Sequence, residues 1–391
     1  MNTVLTIFAI VCIFGLPAPI VWLTRRNKLL GVIGAIACCY IVGFAFSTVA
    51  FTGASYDKGL TTTVAYVLVA LSIPLILFSI DLKAVKKLTK MTLVGYSLCI
   101  VAVILIAAGM FFVTRGFFDG LNYSAMIVGL YTGGTPNLNA IGAAMGAESS
   151  ALSAANVSDT IVGGIYFLLL ISVAPRIYRA LLKSKRRGQT APVQAVEAPE
   201  GKIDDFAFGI SGRDKKSIGK LAGAFFLAVA CLGVGVLLEV IIEGTVGENL
   251  LYILLSVSVL GVALSFIRPV REIRGQYTLG MYLVLMFSLS LAMSIDWSVF
   301  LSDILPTLAF FACAQVCVII LHAILCKLTG VDGDTAIITS TAGVYGPPFI
   351  APVAKAANRP DLIAPGVICG ALGLAVGTLL GVGVGQALLL L

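Results

Sequence analysis

Apolar residues recur along this chain in runs of about 20, the length that crosses the hydrocarbon core of a bilayer as a helix. Such runs lie near 3–24, 29–51, 62–82, 91–113 and 154–179, then near 218–242, 248–267, 277–295, 304–327 and from about 358 to Leu391. Two further stretches, about 119–148 and 332–357, are apolar but interrupted by residues that a membrane helix avoids. Between the two sets runs a hydrophilic linker, 183–216, with Lys185-Arg186-Arg187 and a Pro/Ala/Glu/Gln tract that favours disorder. The pattern predicts an all-α polytopic membrane protein in three parts: a first membrane repeat over 1–182, a cytoplasmic linker over 183–216 and a second repeat over 217–391.

The interruptions occupy matching places in the two halves. The first reads Tyr131-Thr132-Gly133-Gly134-Thr135-Pro136-Asn137-Leu138-Asn139, and the second Thr339-Ser340-Thr341-Ala342-Gly343-Val344-Tyr345-Gly346-Pro347-Pro348. Glycine opens backbone conformations closed to other residues, and proline removes a donor and stops helix propagation. In hydrocarbon, the backbone groups so freed need protein or a water-filled cavity to receive them. Paired interruptions in two halves point to the substrate site of a secondary transporter, with half-helix N-termini facing anionic groups and bare carbonyls facing cations. Smaller echoes support a duplication: Ser79-Ile80-Asp81 against Ser294-Ile295-Asp296, and Asp119-Gly120 against Asp332-Gly333.

Charge orients the halves. If each interrupted stretch is a re-entrant hairpin, each half crosses five times and the repeats are inverted. Of the 26 lysines and arginines, only Lys58 and Arg115 then fall outside, which satisfies the positive-inside rule. Six crossings per half would place nine outside, including the Lys83–Lys90 loop. A crossing broken helix with one more span satisfies most of the same charges. The first run has no basic residue ahead of it and Arg25, Arg26 and Lys28 behind it, the reverse of a signal peptide.

Composition excludes several function classes. The chain is 59% hydrophobic and 12% charged, so no sizeable soluble domain is expected, and its net charge of +7 marks cytoplasmic loops rather than a nucleic-acid surface. The nine cysteines lie in apolar runs without a C-x-x-C pair. One histidine, no H-E-x-x-H and no P-loop argue against an enzyme and against ATP as a driver; no cofactor is implied.

Candidate substrate ligands are Thr135, Pro136, Asn137, Asn139, Thr341, Tyr345, Gly346 and Pro347. Candidate ion-coupling residues are Asp159 and Asn156, with Thr135 and Asn137. Neutral oxygens plus one carboxylate suit Na⁺, with H⁺ as the alternative coupling ion. Asp159 is the clearest charged residue inside a run, although an interfacial cap is also open to it. Gln315, in mid-span, reads as a hydrogen bond to a neighbouring helix, and His322 as a satisfied polar contact. Gly366, Gly370, Gly373, Gly377 and Gly381 read as a packing face behind an interruption.

The two interruption motifs and the whole-chain layout resemble a bacterial and plant-plastid membrane family catalogued as domain of unknown function 819. That family is distantly similar to the cation:proton-antiporter and anion-transporter superfamily, which includes bile-acid/sodium, glutamate/sodium and auxin carriers. The resemblance implies inverted five-helix repeats, a mobile core holding both interruptions and a scaffold that dimerises, in the bacterial inner membrane. Thr135, Pro136, Asn137, Asn139, Tyr345, Gly346 and Pro347 carry it. The second interruption lacks the asparagines of the first, so the two need not supply equivalent ion sites. The expected function is an alternating-access, elevator-like carrier of a small organic anion or amino-acid-like solute; a channel or non-transporting sensor is the competing class.

Overall fold

The computed structural model describes residues 3–27, 30–31, 34–48, 56–81, 88–116, 119–182, 214–244, 250–295 and 297–391. The linker predicted over 183–216 lies outside these residues except for its last three positions, as do Asp296 and most of the Lys83–Lys90 loop. The protein is an all-α polytopic membrane protein, with no strand among the described residues. Among the described residues, seven helices are long and apolar enough to cross a membrane, or eight when a bent pair is taken as one span.

The helices follow the apolar runs. They are α1 (Thr3–Gly15) and α2 (Pro17–Arg26), bent by 43° where Pro17 removes a donor, then α3 (Ala35–Ser47) and α4 (Lys58–Phe78). Next come α5 (Lys90–Thr114), α6 (Gly120–Gly133), α7 (Thr135–Ala144), α8 (Ser149–Ser172) and α9 (Ala174–Leu182). The second half holds α10 (Lys215–Glu243), α11 (Leu250–Ser265), α12 (Arg268–Arg271), α13 (Gln276–Ser294), α14 (Trp297–Thr329) and α15 (Gly333–Tyr345). A 3₁₀ turn (Pro347–Phe349), α16 (Ile350–Ala356), a second 3₁₀ turn (Pro360–Leu362) and α17 (Ile363–Leu389) complete the chain. Polar side chains start several of these helices by accepting from the first free N–H groups: Asp57 for α4, Thr89 for α5, Asp214 for α10 and Asp332 for α15. Inside the helices, hydroxyls return to their own backbone, as Ser288 does to the Val284 carbonyl and Thr341 to that of Ile337, which satisfies them without water.

The compact units do not coincide with the sequence halves. One comprises 1–80, 142–160 and 203–307; the other comprises 81–141, 161–202 and 308–391. Each takes helices from both halves, and α8 and α14 run from the first unit into the second.

In the first unit α4 packs against α13. Ser290 donates to the Thr61 carbonyl (2.7 Å), and the Thr61 and Ser294 hydroxyls are 2.8 Å apart. Farther along, Gly280 lies against the Ser72 carbonyl. Rising numbers on one helix meet falling numbers on the other, so the pair is antiparallel. Its flanks match: Gly43 of α3 abuts Leu289 and Ala292, and Gly261 of α11 abuts Pro74 and Leu77. Leu289 and Ala292 each stand 215 positions after Pro74 and Leu77, the offset that relates Ser79 to Ser294. The two glycines themselves stand 218 positions apart, so the flanking contacts are alike between the halves without sharing one offset. A small apolar cluster of Ala154, Ile295 and Phe300, with Phe44, Val157, Trp297 and Ile304 around it, closes one end.

Candidate functional site

Both interruptions fall in the second unit, and each is a clean break. Helix α6 ends at Gly134 (φ 99°, ψ −177°) and α15 at Gly346 (φ 72°, ψ −164°). This combination of positive φ and extended ψ is open essentially to glycine alone. The two half-helices close identically: the Gly134 N–H donates to Leu130 O at 2.8 Å and the Gly346 N–H to Ala342 O at 3.1 Å. The next residues are Thr135-Pro136 in one case and Pro347-Pro348 in the other, and each proline removes a donor that a continuing helix would use.

The breaks touch reciprocally. A Cβ at Gly134 would sit 3.5 Å from the Tyr345 carbonyl oxygen, and a Cβ at Gly346 would sit 3.2 Å from the Gly133 carbonyl oxygen. Each glycine thus faces the residue that precedes the other. Behind them runs the glycine face of α17. Gly370 abuts the Gly346–Pro347 peptide, Gly373 the Thr132 carbonyl and Gly377 the Asn137 side chain. Any larger residue there would separate α17 from the breaks, which is the packing that small residues permit between membrane helices.

Around this shared backbone the side chains differ. Asn137 is buried at the start of α7. Its amide donates to Gly373 O (3.1 Å) and more weakly toward Gly129 O (3.5 Å), and its oxygen accepts from Thr378 (3.0 Å). The residue therefore clamps α7 to α6 and α17, with its two donors already engaged. Tyr96 of α5 donates to the Thr132 carbonyl at 2.7 Å, taking up one of the carbonyls that the break leaves open. At the second break, Tyr345 donates to Gly163 O (2.6 Å) and stacks on Phe349 (4.7 Å) and Tyr166 (6.0 Å), while Phe167 meets Phe349 edge-on at 5.0 Å. Tyr166 in turn shares a hydrogen bond with Ser340 at 2.9 Å.

The structure brings Thr135, Pro136, Asn137, Asn139, Thr341, Tyr345, Gly346 and Pro347 into one unit. Thr135 and Pro136 are half-buried; Asn137 and Asn139 are buried. The Thr341 hydroxyl is spent on its own helix. Asn156 and Asp159 belong to the first unit. Asn156 donates back to Leu152 O at 2.8 Å, and half-buried Asp159 stands ten residues into α8 rather than at its first turn. Asp81 is exposed just past the end of α4.

Two features escaped sequence reasoning, and a third differs from the reading given to it. Asp334 is held by Arg179 (2.7 Å) and Arg359 (3.0 Å), and Arg359 also forks onto Asp361. Together with a hydrogen bond from Arg179 to Ala357 O, this network ties the start of α15 to the segment after α16 and to α9. The Asp-Gly-Asp at 332–334 was its visible half. Glu239 is fully buried within α10, although a carboxylate in an apolar run is a plain signal. Gln315 makes neither of its expected bonds: Oε1 and Nε2 have no protein partner and the residue is 2% exposed. No group of three or more metal-ligating side chains occurs among the described residues.

Two comparisons bear on identity. The protein is similar to an uncharacterized membrane protein, YjcL, of Bacillus subtilis (strain 168), with 25% identity over 334 residues that cover 83% of this chain and 82% of that one. Residues 11–391 match the family described as "Protein of unknown function (DUF819)". A match over nearly the whole length, both breaks included, places this chain in the DUF819 family of membrane proteins.

Proposed function

We propose that this protein is a secondary active transporter that moves a small organic anion or amino-acid-like solute by alternating access. One observation carries the reading: two half-helices end in the same glycine-only conformation and meet reciprocally inside one unit, among buried polar side chains. Broken helices that meet in this way are how transporters build a midplane site from ordinary backbone. The like glycine contacts on the two flanks of α4 and α13 support inverted repeats, and so does the lysine and arginine distribution. Under this reading the unit that holds both breaks is the moving part of an elevator-like cycle, the other is the scaffold and dimerises, and the membrane is the bacterial inner membrane.

Thr135, Pro136, Asn139, Tyr345, Gly346 and Pro347 are the proposed substrate contacts, with Asn137 and Thr341 holding their geometry. Na⁺ is the proposed coupling ion, because the polar groups near the breaks are neutral oxygens of the kind hard cations accept. Asp159 and Asn156 keep their proposed role in ion coupling. A proton-coupled reading is favoured by a different observation, the buried carboxylate of Glu239, since intramembrane carboxylates are the usual proton carriers.

Uptake into proteoliposomes decides among these. Saturable accumulation of a solute against its gradient, driven by inward Na⁺, is expected. Passive flux that never exceeds equilibrium would indicate a channel. Accumulation that ignores Na⁺ and follows a pH gradient, lost in Glu239→Gln and kept in Asp159→Asn, would transfer the coupling to protons.

A further inference from the structure

The unit that holds the breaks is almost devoid of buried charge. Among its described buried residues the one carboxylate is Asp334, at the opening of α15 and matched by two arginines, and no lysine or arginine is buried. The polar groups near the breaks are amides and hydroxyls. Most are spent within the protein, as with Asn137, Thr341 and Ser340. Others are not: Gln315 Oε1 and Nε2 and Thr132 Oγ1 are buried without a protein partner, as are Ser124 Oγ and His322 Nδ1, and of these Thr132 stands in the last turn of α6.

Gln315 is placed at the level of the breaks by its neighbours on α14. One turn before it, the Phe311 carbonyl accepts from the Tyr131 hydroxyl at 3.2 Å, which fixes α14 beside the end of α6. Two turns after it, His322 Nε2 is 3.0 Å from the Gly95 carbonyl of α5. Cys99, one turn from Gly95, meets the end of α15: a Cβ at Gly343 would lie 2.9 Å from its sulfur and 2.7 Å from the Tyr131 carbonyl. The buried face of α14 that carries Gln315 therefore spans the region where α6 and α15 end. A primary amide buried without a protein partner is disfavoured, and one that offers two donors and an acceptor suits a guest that both accepts and donates.

We propose that Gln315 is a substrate-binding residue, with the Thr132 hydroxyl as a second contact, and that the solute carries no net charge: a zwitterion or polar amide of amino-acid size. The proposal rests on the carrier reading and narrows its substrate class. A net anion would bring an unpaired charge into a unit whose buried arginine-bound carboxylate is already matched and whose remaining polar groups are neutral. A zwitterion brings its own counter-charge, and its carboxylate still gains from the N-terminus of α7.

The test uses the full-length protein with L-glutamine, L-serine and glycine as neutral probes and L-glutamate, succinate and acetate as anionic ones, each with and without Na⁺. Neutral probes are expected to raise the thermal midpoint of the wild type and to compete in uptake. Gln315→Leu is expected to raise their KM at least tenfold while its own midpoint stays level or rises, since an unsatisfied amide has been removed. Thr132→Val is the second variant and is expected to weaken binding less. A purely structural Gln315 would lower the midpoint and leave KM unchanged, and that result overturns the proposal. So does preferential binding of succinate or glutamate in either medium. If the wild type accumulates no probe but is stabilised by the neutral ones through Gln315, the carrier reading falls and the site stands. If no probe shifts the midpoint of the wild type, the site falls with it.

Discussion

The two breaks share a backbone and almost nothing else. Gly134 and Gly346 adopt the same glycine-only conformation and close their half-helices with the same bond. Yet the first break is followed by a ten-residue helix, α7, whose opening turn is locked by an asparagine bonded to α17. The second is followed by two prolines and a 3₁₀ turn, walled by Tyr166, Phe167, Tyr345 and Phe349. Their openings differ too. Asp119 accepts from Asn122 at 3.0 Å and its counterpart Asp332 from Thr335 at 2.6 Å, but the second opening adds Asp334, held by two arginines. The two breaks have in common what the backbone does there. The side chains are then free to specialise, one break as a hydrogen-bonded cradle and the other as an aromatic wall anchored by ions.

The sharpest way to break the shared part is to add a Cβ. Gly346→Ala is expected to destabilise by about 3 kcal/mol, the upper end for a residue held in this region, because the new carbon also crowds the Gly133 carbonyl at 3.2 Å. Gly134→Ala is expected to cost less, about 2 kcal/mol, since its nearest neighbour is at an ordinary 3.5 Å. Thermal unfolding in detergent measures both, and equal losses would show that strain alone matters. Transport should fail in each.

The shared part was also the part legible in the sequence. Glycine and proline at matching places announce a break because their effect is local: one side chain missing, one donor missing. The glycine face of α17 was legible for the same reason, through its spacing of three and four. What specialises each break was not. Thr378 meets Asn137 across 241 positions, and Tyr96 meets Thr132 across 36. A single hydroxyl in an apolar run carries no sign of which helix it will face. The compact units were hidden likewise, because hydropathy shows where a chain crosses and not which crossings pack together. Asp159 and Asn156 were grouped with the first break by polarity and nearness in sequence; the chain passes into the other unit between them and Asn137.

Breaking the specialised parts should cost no more than adding a Cβ at Gly134, and less than adding one at Gly346. Asn137→Ala removes the amide from Gly373 O and Thr378 and leaves both buried, for an expected loss of about 2 kcal/mol. Asn137→Asp tests whether the donors or the acceptor matter, since it keeps only the bond from Thr378. Asp334→Asn should cost about 1–2 kcal/mol. A fully buried pair would lose more, but Arg179 and Arg359 keep 37% and 26% of their side-chain surface exposed and are screened accordingly. The loss from Asp334→Asn should shrink in high salt and that from Asn137→Ala should not. If both respond alike, the contrast between an ionic and a neutral anchor is wrong.

The smallest effect comes from a pair of matched hydroxyl deletions. Tyr96→Phe strips a hydrogen bond from the Thr132 carbonyl beside the first break, and Tyr345→Phe strips one from Gly163 beside the second. Each bond is worth about 1 kcal/mol net, but the carbonyls left behind are not equivalent. Thr132 O belongs to the last turn of a half-helix and has no following turn to bond it, so its loss should be felt in full. Gly163 lies inside α8, where its carbonyl keeps the helical bond of an uninterrupted segment, and the aromatic stack around Tyr345 survives the change. Tyr96→Phe should therefore lower the thermal midpoint more than Tyr345→Phe. The opposite order would mean that the aromatic wall, rather than the hydrogen-bonded cradle, is what holds the breaks together.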